Sequence, residues 1–253
     1  MRKLFLILSA AATGALLTAT GLLAAGPRLN EIPSTNKHNL SSLNTGVTKR
    51  ASTAQAQPDY GRQTQICIFC HTPHNSAAQT ALWNRVATQK ATPFGHYSST
   101  TLRIDDPSIK GTSLYGEPNG VSRLCLSCHD GVTALGAVLT GSQIDFPATK
   151  DKANALDMAT HHPVSFVYNQ AVLNYIKQDA TKNTQGYQIP ATNNAANVRL
   201  DRQGRMQCTS CHDPHQNQSD DNVVTPFWVT GPVGGDNAHD SVCKTCHNIT
   251  LGF

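Results

Sequence analysis

The longest uninterrupted run of apolar and small residues in this chain is residues 4–25, near the N-terminus, and it carries no charge. Two basic residues precede the run, and the small residues Ala24 and Ala25 close it. A basic start, an apolar centre and a small-residue end are typical of a secretory signal peptide. We therefore expect residues 1–25 to be removed on export. Because the run is long enough to span a bilayer, an uncleaved anchor is the alternative.

The next segment, residues 26–66, shows no hydrophobic period. Ser, Thr, Asn and Gln dominate it, and Pro27, Pro33 and Pro58 disfavour helices. Without a repeat of 2 or 3.6 residues the segment has little means of packing on its own. We predict an extended N-terminal arm, which carries His38 in the sequence KHNLS.

The remaining residues, 67–253, are predicted to form one domain of mostly irregular coil with short α-helices, little β-structure and at most one hairpin. We predict a short helix at 130–140, and VVTPFWVT at 223–230 has strand composition with a proline that confines it to an edge or a bend. No later stretch is apolar enough to cross a membrane, so no span is expected in the mature chain. The best helix is 167–178, where one face carries Tyr168, Ala171, Val172, Tyr175 and Ile176.

All eight cysteines fall in four C-x-x-C-H motifs, at 67–71, 125–129, 208–212 and 243–247. Two thiols about one turn apart can form thioethers with the two vinyl groups of a haem, and the adjacent histidine then ligates the iron as its proximal ligand. The predicted attachment residues are Cys67, Cys70, Cys125, Cys128, Cys208, Cys211, Cys243 and Cys246. The predicted proximal ligands are His71, His129, His212 and His247.

Two other interpretations of the cysteines compete with covalent haem. Two CxxC pairs can close a four-cysteine zinc site, and an exported chain can hold disulfides. Neither interpretation explains why a histidine follows the second cysteine in all four motifs. We therefore predict four covalently bound c-type haems as the cofactors.

The composition supports a core that is built from these haems. Aromatic residues make up only 6% of the chain and the mean hydropathy is −0.33. These values indicate too little hydrophobic side-chain surface for an ordinary core in a chain of this size. Four haems would supply the missing apolar surface, so we expect the haem stack itself to be the core. The motifs are unevenly spaced, which argues against a regular repeat array, and the last two, being closest, are expected to carry neighbouring haems.

The formal charge of +4 is a poor guide to the binding partners of this protein. Without Arg2 and Lys3 the mature chain has 18 basic and 16 acidic residues, a net charge of +2. Each c-type haem carries two propionates, so four haems would bring the reduced protein to about −6 and the oxidised protein to about −2. The chain has no block of basic residues, and we expect no nucleic-acid partner.

Four further histidines are needed to close the second face of each iron. His74 and His215 lie three residues beyond a proximal histidine, behind a proline, which is too close to reach the far side of their own haem. We predict that each ligates a neighbouring haem instead. His162 is preferred over its neighbour His161, which is held in reserve, and His38 is the fourth choice.

The chain offers some alternatives to these distal ligands. His96 and His239 are further reserves, and hydrogen bonds to propionates would be enough to explain them. Methionine ligation would raise the haem potential, but of the two candidates Met206 lies beside a haem cysteine and is better explained by packing, as is Met158. All-histidine coordination is therefore the prediction.

Several sequence segments together resemble a known family. KHNLS, CIFCHTPHN, LWNR followed by YSSTTL, HPVSF and CTSCHDPH are similar to segments of the doubled-CxxCH multihaem c-type cytochromes, and among these of the OmcE-type tetrahaem cytochromes that form extracellular nanowire filaments. The likeness covers most of residues 35–247. It implies a continuous chain of bis-histidine haems and little regular secondary structure. It also implies that one subunit can lend a histidine to its neighbour, and the matching distal positions are His38, His74, His162 and His215.

The resemblance and the motifs lead to one preferred function. We expect an exported electron-transfer protein, extracellular or at the cell surface, which polymerises with itself and exchanges electrons with redox partners upstream and downstream. His38 on its arm could cross between subunits or serve its own chain. The alternatives are a monomeric periplasmic shuttle and a multihaem reductase. Catalysis needs an open iron, and the surplus of histidines argues against one, so we predict no catalytic residues.

Overall fold

The computed structural model describes residues 33, 36–54, 60–77, 80–95, 97, 118–177, 186–216, 227–230 and 237–248. The predicted signal peptide lies outside these residues. Most of the described chain forms turns, bends and irregular segments, which confirms the predicted coil-rich fold with short helices and little β-structure. Within those ranges, no helix is both long and apolar enough to cross a membrane.

The regular elements are short. Strands β1 (Gly186–Tyr187) and β2 (His247–Asn248) pair antiparallel, with Tyr187 opposite His247. No described helix exceeds eight residues, and helices of that length depend on tertiary contacts for their stability. The α-helices are α1 (Tyr60–Gln63), α2 (Gly120–Leu126), α3 (Gln170–Lys177), α4 (Cys208–Cys211) and α5 (Asn237–Lys244), and two 3-10 turns span Cys67–Phe69 and Thr80–Leu82.

The predicted helix at 167–178 is present as α3, which begins three residues later, at Gln170. Its buried side chains are Val172 and Leu173, whereas Ala171, which was predicted on the buried face, is exposed. The side chains of Tyr175 and Ile176 lie outside the described part. The periodicity therefore located the helix and the buried positions Tyr168 and Val172, but it missed the buried Leu173.

The predicted helix at 130–140 is wrong, because this segment forms turns and isolated bridges. The Asp130 carboxylate accepts hydrogen bonds from the N–H groups of Val132 and Thr133, and Gly131 has a φ of 76°, a combination that directs the chain into a turn. Further along, the N–H of Ile144 donates to the carbonyl of Gly136. Local side-chain bonding and this close backbone approach therefore override the helix-like composition.

The N-terminal arm, which was predicted to be extended, is folded into the structure and contains helix α1. Its polar side chains are buried rather than solvated, and Asn36, Asn39 and Asn44 are all 0% exposed. The Asn44 side chain donates to the carbonyl of Asn39 at 2.9 Å, and the backbone N–H of Ser42 donates to the carbonyl of Gln63 at 2.8 Å. Amide hydrogen bonds thus anchor a segment that lacks a hydrophobic face.

Buried hydrophobic side chains form three separate small clusters, and each adjoins cysteines of the C-x-x-C-H motifs. The first cluster includes Phe69 and Ile144 and packs against Cys70 and Cys128. The second consists of Phe94, Leu126, Met158 and Val164, with Cys208 packed against it. The third contains Tyr168, Val172, Leu173, Ala196, Val198, Met206, Val242 and Cys246, with Cys211 packed against it.

Candidate functional site

Each C-x-x-C-H motif forms one helical turn. In the first motif the carbonyl of Cys67 accepts from the N–H of Cys70 at 3.1 Å and from that of His71 at 2.8 Å. In the second motif the carbonyl of Cys125 accepts the same two hydrogen bonds. In the fourth motif the carbonyl of Cys243 accepts the first of the two. Residues three and four apart share one side of a helical turn, so both thiols and the imidazole project from the same side.

All eight cysteines are free thiols. Burial raises the pKa of Cys70 and of Cys211 to about 12, so both are protonated at neutral pH. A hydrogen bond from the second motif to the third, between Cys125 and Cys208, lowers the pKa of Cys208. Across the described ranges, no three His, Cys, Asp or Glu side chains converge closely enough to hold a metal ion.

Among the described residues, in contrast, histidine rings come together in three pairs. The ring centres are 6.2 Å apart for His71 and His215, 6.1 Å for His38 and His129, and 6.3 Å for His162 and His247. An imidazole nitrogen lies about 2 Å from a metal that it ligates and the ring centre roughly 1 Å further back, so two imidazoles on opposite faces of one ion have centres about 6 Å apart. All three pairs have that spacing.

Each pair joins a motif histidine to a histidine from a distant part of the same chain. His215, beyond the third motif, faces His71 of the first motif, as expected for a ligand to a neighbouring haem. His38 of the arm faces His129 of the second motif within its own chain. His162 faces His247 of the fourth motif. Three of the four predicted distal histidines therefore lie opposite predicted proximal ones.

Hydrogen bonds at Nδ1 orient several of these rings. His71 Nδ1 lies 2.6 Å from the carbonyl oxygen of Ala81, His162 Nδ1 lies 2.9 Å from that of Pro163, and His215 Nδ1 lies 2.8 Å from the Asp213 carboxylate. An acceptor at Nδ1 keeps the ring proton there and leaves the Nε2 lone pair available to a metal. The same arrangement is usual for metal-ligating histidines in proteins.

The two rings of the arm and the second motif are partly buried. Burial lowers the pKa of His38 to about 4, with smaller contributions from His129 and His215, and burial also lowers the pKa of His129. Both rings are therefore neutral at pH 7, which is the form that binds metals. Nδ1 of each is buried and has no hydrogen-bond partner of good geometry within the described part of the chain.

The remaining histidines are placed differently. His74, the fourth predicted distal ligand, is exposed, and no ring contact joins it to another histidine among the described residues. His161 is also exposed, and its Nδ1 lies 2.6 Å from the carbonyl oxygen of Asp157; because His162 is the member of the doublet whose ring contacts a motif histidine among the described residues, the ring contact favours His162. The proximal His212 stacks on Trp228, with ring centres 5.0 Å apart. His96 and the side chain of His239 lie outside the described residues.

A repeated tryptophan hairpin, which the sequence analysis missed, supports two of the proximal histidines. His71 forms an antiparallel bridge with Trp83, and His212 forms the same bridge with Trp228. In both hairpins the residue before the tryptophan has a positive φ, 53° at Leu82 and 56° at Phe227. The chain has only two tryptophans, and each follows a C-H-x-P-H sequence, which was the available signal.

The arm also contacts the turn that carries His215. The Asn36 side chain donates to the carbonyls of Pro214 at 3.3 Å and of Gln216 at 2.7 Å. Its own carbonyl Oδ1 accepts from the N–H of His38 at 2.9 Å. One buried amide therefore connects two of the candidate distal ligands.

No protein-family model matches the chain, and a search of curated proteins found no significant match.

Proposed function

We propose that this chain binds four c-type haems covalently and passes electrons along them. The observation that carries the proposal is the set of three histidine pairs with ring centres 6.1–6.3 Å apart, each with one member in a C-x-x-C-H motif. Packing alone has no reason to fix three imidazole pairs at one spacing. Two imidazoles that ligate opposite faces of one iron must have this separation of ring centres.

The chain's own residues have distinct roles in this proposal. The paired cysteines of each motif would form the thioethers, and His71, His129, His212 and His247 would be the proximal ligands. His215, His38 and His162 would be the distal ligands on the first, second and fourth motifs. When bound, a c-type haem supplies one-electron chemistry, since ferric iron accepts a single electron to become ferrous.

Electron transfer is favoured over catalysis because the three pairs would fill both faces of three irons. A reductase needs an iron with an open or labile position. The Nδ1 bonds of His71, His162 and His215 hold those rings in place and so oppose their displacement. The reductase alternative therefore depends on the third motif alone.

The order of the motifs in space supports transfer along a chain. Cys70 and Cys128 pack on one hydrophobic cluster, so the first motif neighbours the second. Helices α2 and α4 pack together, and the Cys208 N–H donates to the Ser122 hydroxyl at 3.0 Å, which joins the second motif to the third. Cys211 packs against the cluster that contains Cys246. Successive motifs are thus neighbours, including the last two.

Export and polymerisation into an extracellular filament are part of the same proposal and are supported by the N-terminal sequence and by the family resemblance. Within one chain, the His38 ring already faces His129. We therefore expect His38 to serve its own subunit. Exposed His74 becomes the better candidate for a ligand shared between subunits, while a monomeric periplasmic shuttle is the alternative.

The test is to produce the full chain in a host that matures c-type cytochromes. A pyridine haemochrome assay and intact mass should give four haems per chain, and replacing Cys125 and Cys128 by serine should give three. A protein that carries zinc or no haem would overturn the proposal. Carbon monoxide binding by the ferrous wild type in its native assembly would favour the reductase, and negative-stain images of the native protein separate filament from shuttle.

The role of His38 has its own test. In monomeric protein, His38→Ala should let one more haem bind carbon monoxide than in the monomeric wild type if the ligand acts within its own chain. If His38 instead bridges subunits, the monomer should be unaffected and filament assembly should fail.

A further inference from the structure

Arg85 is a buried cation whose role the proposed function leaves unassigned. It ends the sequence LWNR and is only 2% exposed. Its guanidinium donates to three backbone carbonyls, of Leu135, of Ser127 at 3.1 Å and of Ala134 at 2.8 Å. Its Nε–H is buried without a hydrogen-bond partner in the described part of the chain.

No carboxylate within the described ranges forms an ion pair with Arg85. The buried Asp130 accepts its hydrogen bonds from Thr88, Thr133 and neighbouring backbone instead. Burying a charge that only carbonyl dipoles compensate is expensive, and replacing such a charge with an apolar side chain is often neutral or stabilising. Fold stability alone therefore does not explain why a cation occupies this position.

The guanidinium lies at the junction of the first and second motifs. The preceding residue, Asn84, donates its backbone N–H to the carbonyl of Cys70 at 2.8 Å, and its side chain donates to that of Ile68 at 2.6 Å. From there Arg85 reaches Ser127, which lies between the two cysteines of the second motif. A single fixed positive charge is thus attached to both motifs.

We propose that Arg85 is an electrostatic tuning residue that raises the reduction potential at the second motif, and to a smaller extent at the first, above those at the third and fourth. This inference rests on the proposed function, since it requires haem at those motifs. An added electron is attracted to a buried positive charge, and the attraction is strong where water does not screen it.

The redox step involves one electron and no proton. The electron enters from the upstream partner, resides at the junction of the first two motifs and leaves to the next acceptor. Arginine stays charged throughout, because its pKa lies above the physiological range. The expected effect is therefore independent of pH near neutrality. It makes the N-terminal half of the chain the preferred location of the first electron.

The test compares two neutral variants, Arg85→Gln and Arg85→Met, with Arg85→Lys, which keeps the charge. Arg199→Gln is the matched control, because Arg199 also donates to a backbone carbonyl, that of Thr192 at 2.7 Å, but is exposed, so solvent screens its charge. The measurement is a spectroelectrochemical titration of purified protein after its haem content is determined.

Both neutral variants should lower one or two of the four midpoints by an amount equivalent to about a tenfold change in the reduction equilibrium, roughly 59 mV for one electron. Arg85→Lys and Arg199→Gln should titrate like the wild type. Unchanged midpoints in neutral variants with four haems, or an equal shift in Arg199→Gln, overturn the inference.

Failure of the inference and failure of the proposed function are distinguishable. If the wild type itself lacks haem, the proposed function is wrong before any variant is compared. If the wild type has four haems but both neutral variants fail to fold or to bind them, Arg85 is a folding residue and the tuning role is overturned.

Discussion

The imidazole rings of His71 and His215 are nearly parallel, with a tilt of 18° and ring centres 6.2 Å apart. The other two pairs have the same separation but cross steeply, at 72° for His38 with His129 and 84° for His162 with His247. In the parallel pair, hydrogen bonds at Nδ1 orient both rings, from His71 to the Ala81 carbonyl and from His215 to the Asp213 carboxylate. The proposed axial ligands therefore fall into two classes, one parallel and the other near-perpendicular.

Ring orientation leads to a spectroscopic prediction. Ferric low-spin haem with parallel imidazoles gives a rhombic electron paramagnetic resonance signal, whereas near-perpendicular rings give a strongly anisotropic signal with a large maximal g value. We expect the oxidised protein to show both, with one rhombic centre from the first motif and two anisotropic centres from the second and fourth. His215→Ala should remove the rhombic signal selectively. Loss of an anisotropic signal instead would contradict the pairing.

The histidine doublet offers a matched pair of variants. The His162 ring faces His247, whereas no ring contact joins His161 to another histidine among the described residues. His162→Ala should let one more ferrous haem bind carbon monoxide than in the wild type, because one distal ligand is lost. His161→Ala should bind no more carbon monoxide than the wild type does. Equal binding by the two variants would show that either histidine can serve, and the assignment to His162 would then fail.

Sequence patterns predicted the features that depend on local chemistry. The helical turn of each C-x-x-C-H motif follows from its spacing, and α3 follows from its periodicity. Three distal histidines were selected by their positions around prolines and motifs, and the structure places His38, His162 and His215 opposite motif histidines. The helical features are confirmed because each depends on a short stretch of chain, whereas the ligand roles of the three histidines stay predictions.

Features that depend on distant contacts could not be predicted in the same way. The arm looked unable to pack because it lacks hydrophobic periodicity, yet Asn36 and Asn39 are buried through hydrogen bonds to other polar groups. The composition of segment 130–140 resembles that of a helix, but the turn contacts of Asp130 and Gly136 determine its structure. Nothing in the sequence LWNR marks Arg85 as buried, because its carbonyl partners come from residues more than 40 positions away.

Acid should destabilise the loop that precedes the third motif. Burial tends to raise the pKa of Asp201, but hydrogen bonds from Arg205 and Gln207 outweigh this and hold that pKa below its usual value. A carboxylate with a depressed folded-state pKa stabilises the fold above the unfolded pKa of about 3.9, and the contribution is lost as pH falls through the lower folded-state pKa. Asp201→Asn should cost about 1–2 kcal/mol at pH 7 and flatten the pH dependence of unfolding below pH 4.

The control for that measurement is Asp240→Asn. Asp240 forms an ion pair with Lys244 at 3.2 Å, but both side chains are more than a third exposed. An exposed helical pair of this kind contributes about 0.5 kcal/mol or less. Guanidinium chloride unfolding at several pH values should therefore separate the two variants. Equal losses at pH 7 would contradict the importance assigned to Asp201.

Gly136 should not tolerate a side chain. A Cβ at this position would overlap the backbone carbonyl of Ile144, which cannot move without breaking the turn between them. Gly136→Ala should lower the free energy of unfolding by about 2 kcal/mol or more. Gly61→Ala is the control, because a Cβ there meets nothing within 4 Å, and it should be neutral or stabilising by about 0.5 kcal/mol. Chemical denaturation compares the two, and similar losses would refute the steric argument.

Asn36 should control the position of a distal ligand that it does not touch directly. Its amide donates to the carbonyls on either side of His215, at Pro214 and Gln216, and is 0% exposed. Asn36→Ala leaves those carbonyls without this donor, which should cost about 1–3 kcal/mol and loosen the turn that carries the ring. The oxidised variant should then show a weakened rhombic resonance signal from the first motif. Its ferrous form should bind carbon monoxide partially at that iron.

The neighbouring Lys37 provides the control for this variant, because its side chain is exposed and lies on the same turn of the arm. Lys37→Ala should leave both the unfolding free energy and the resonance spectrum unchanged. If Asn36→Ala weakens only the anisotropic signal of the second motif, then Asn36 acts on His38 rather than on His215. If Asn36→Ala loses stability without any spectral change, then Asn36 stabilises the arm but does not position a ligand.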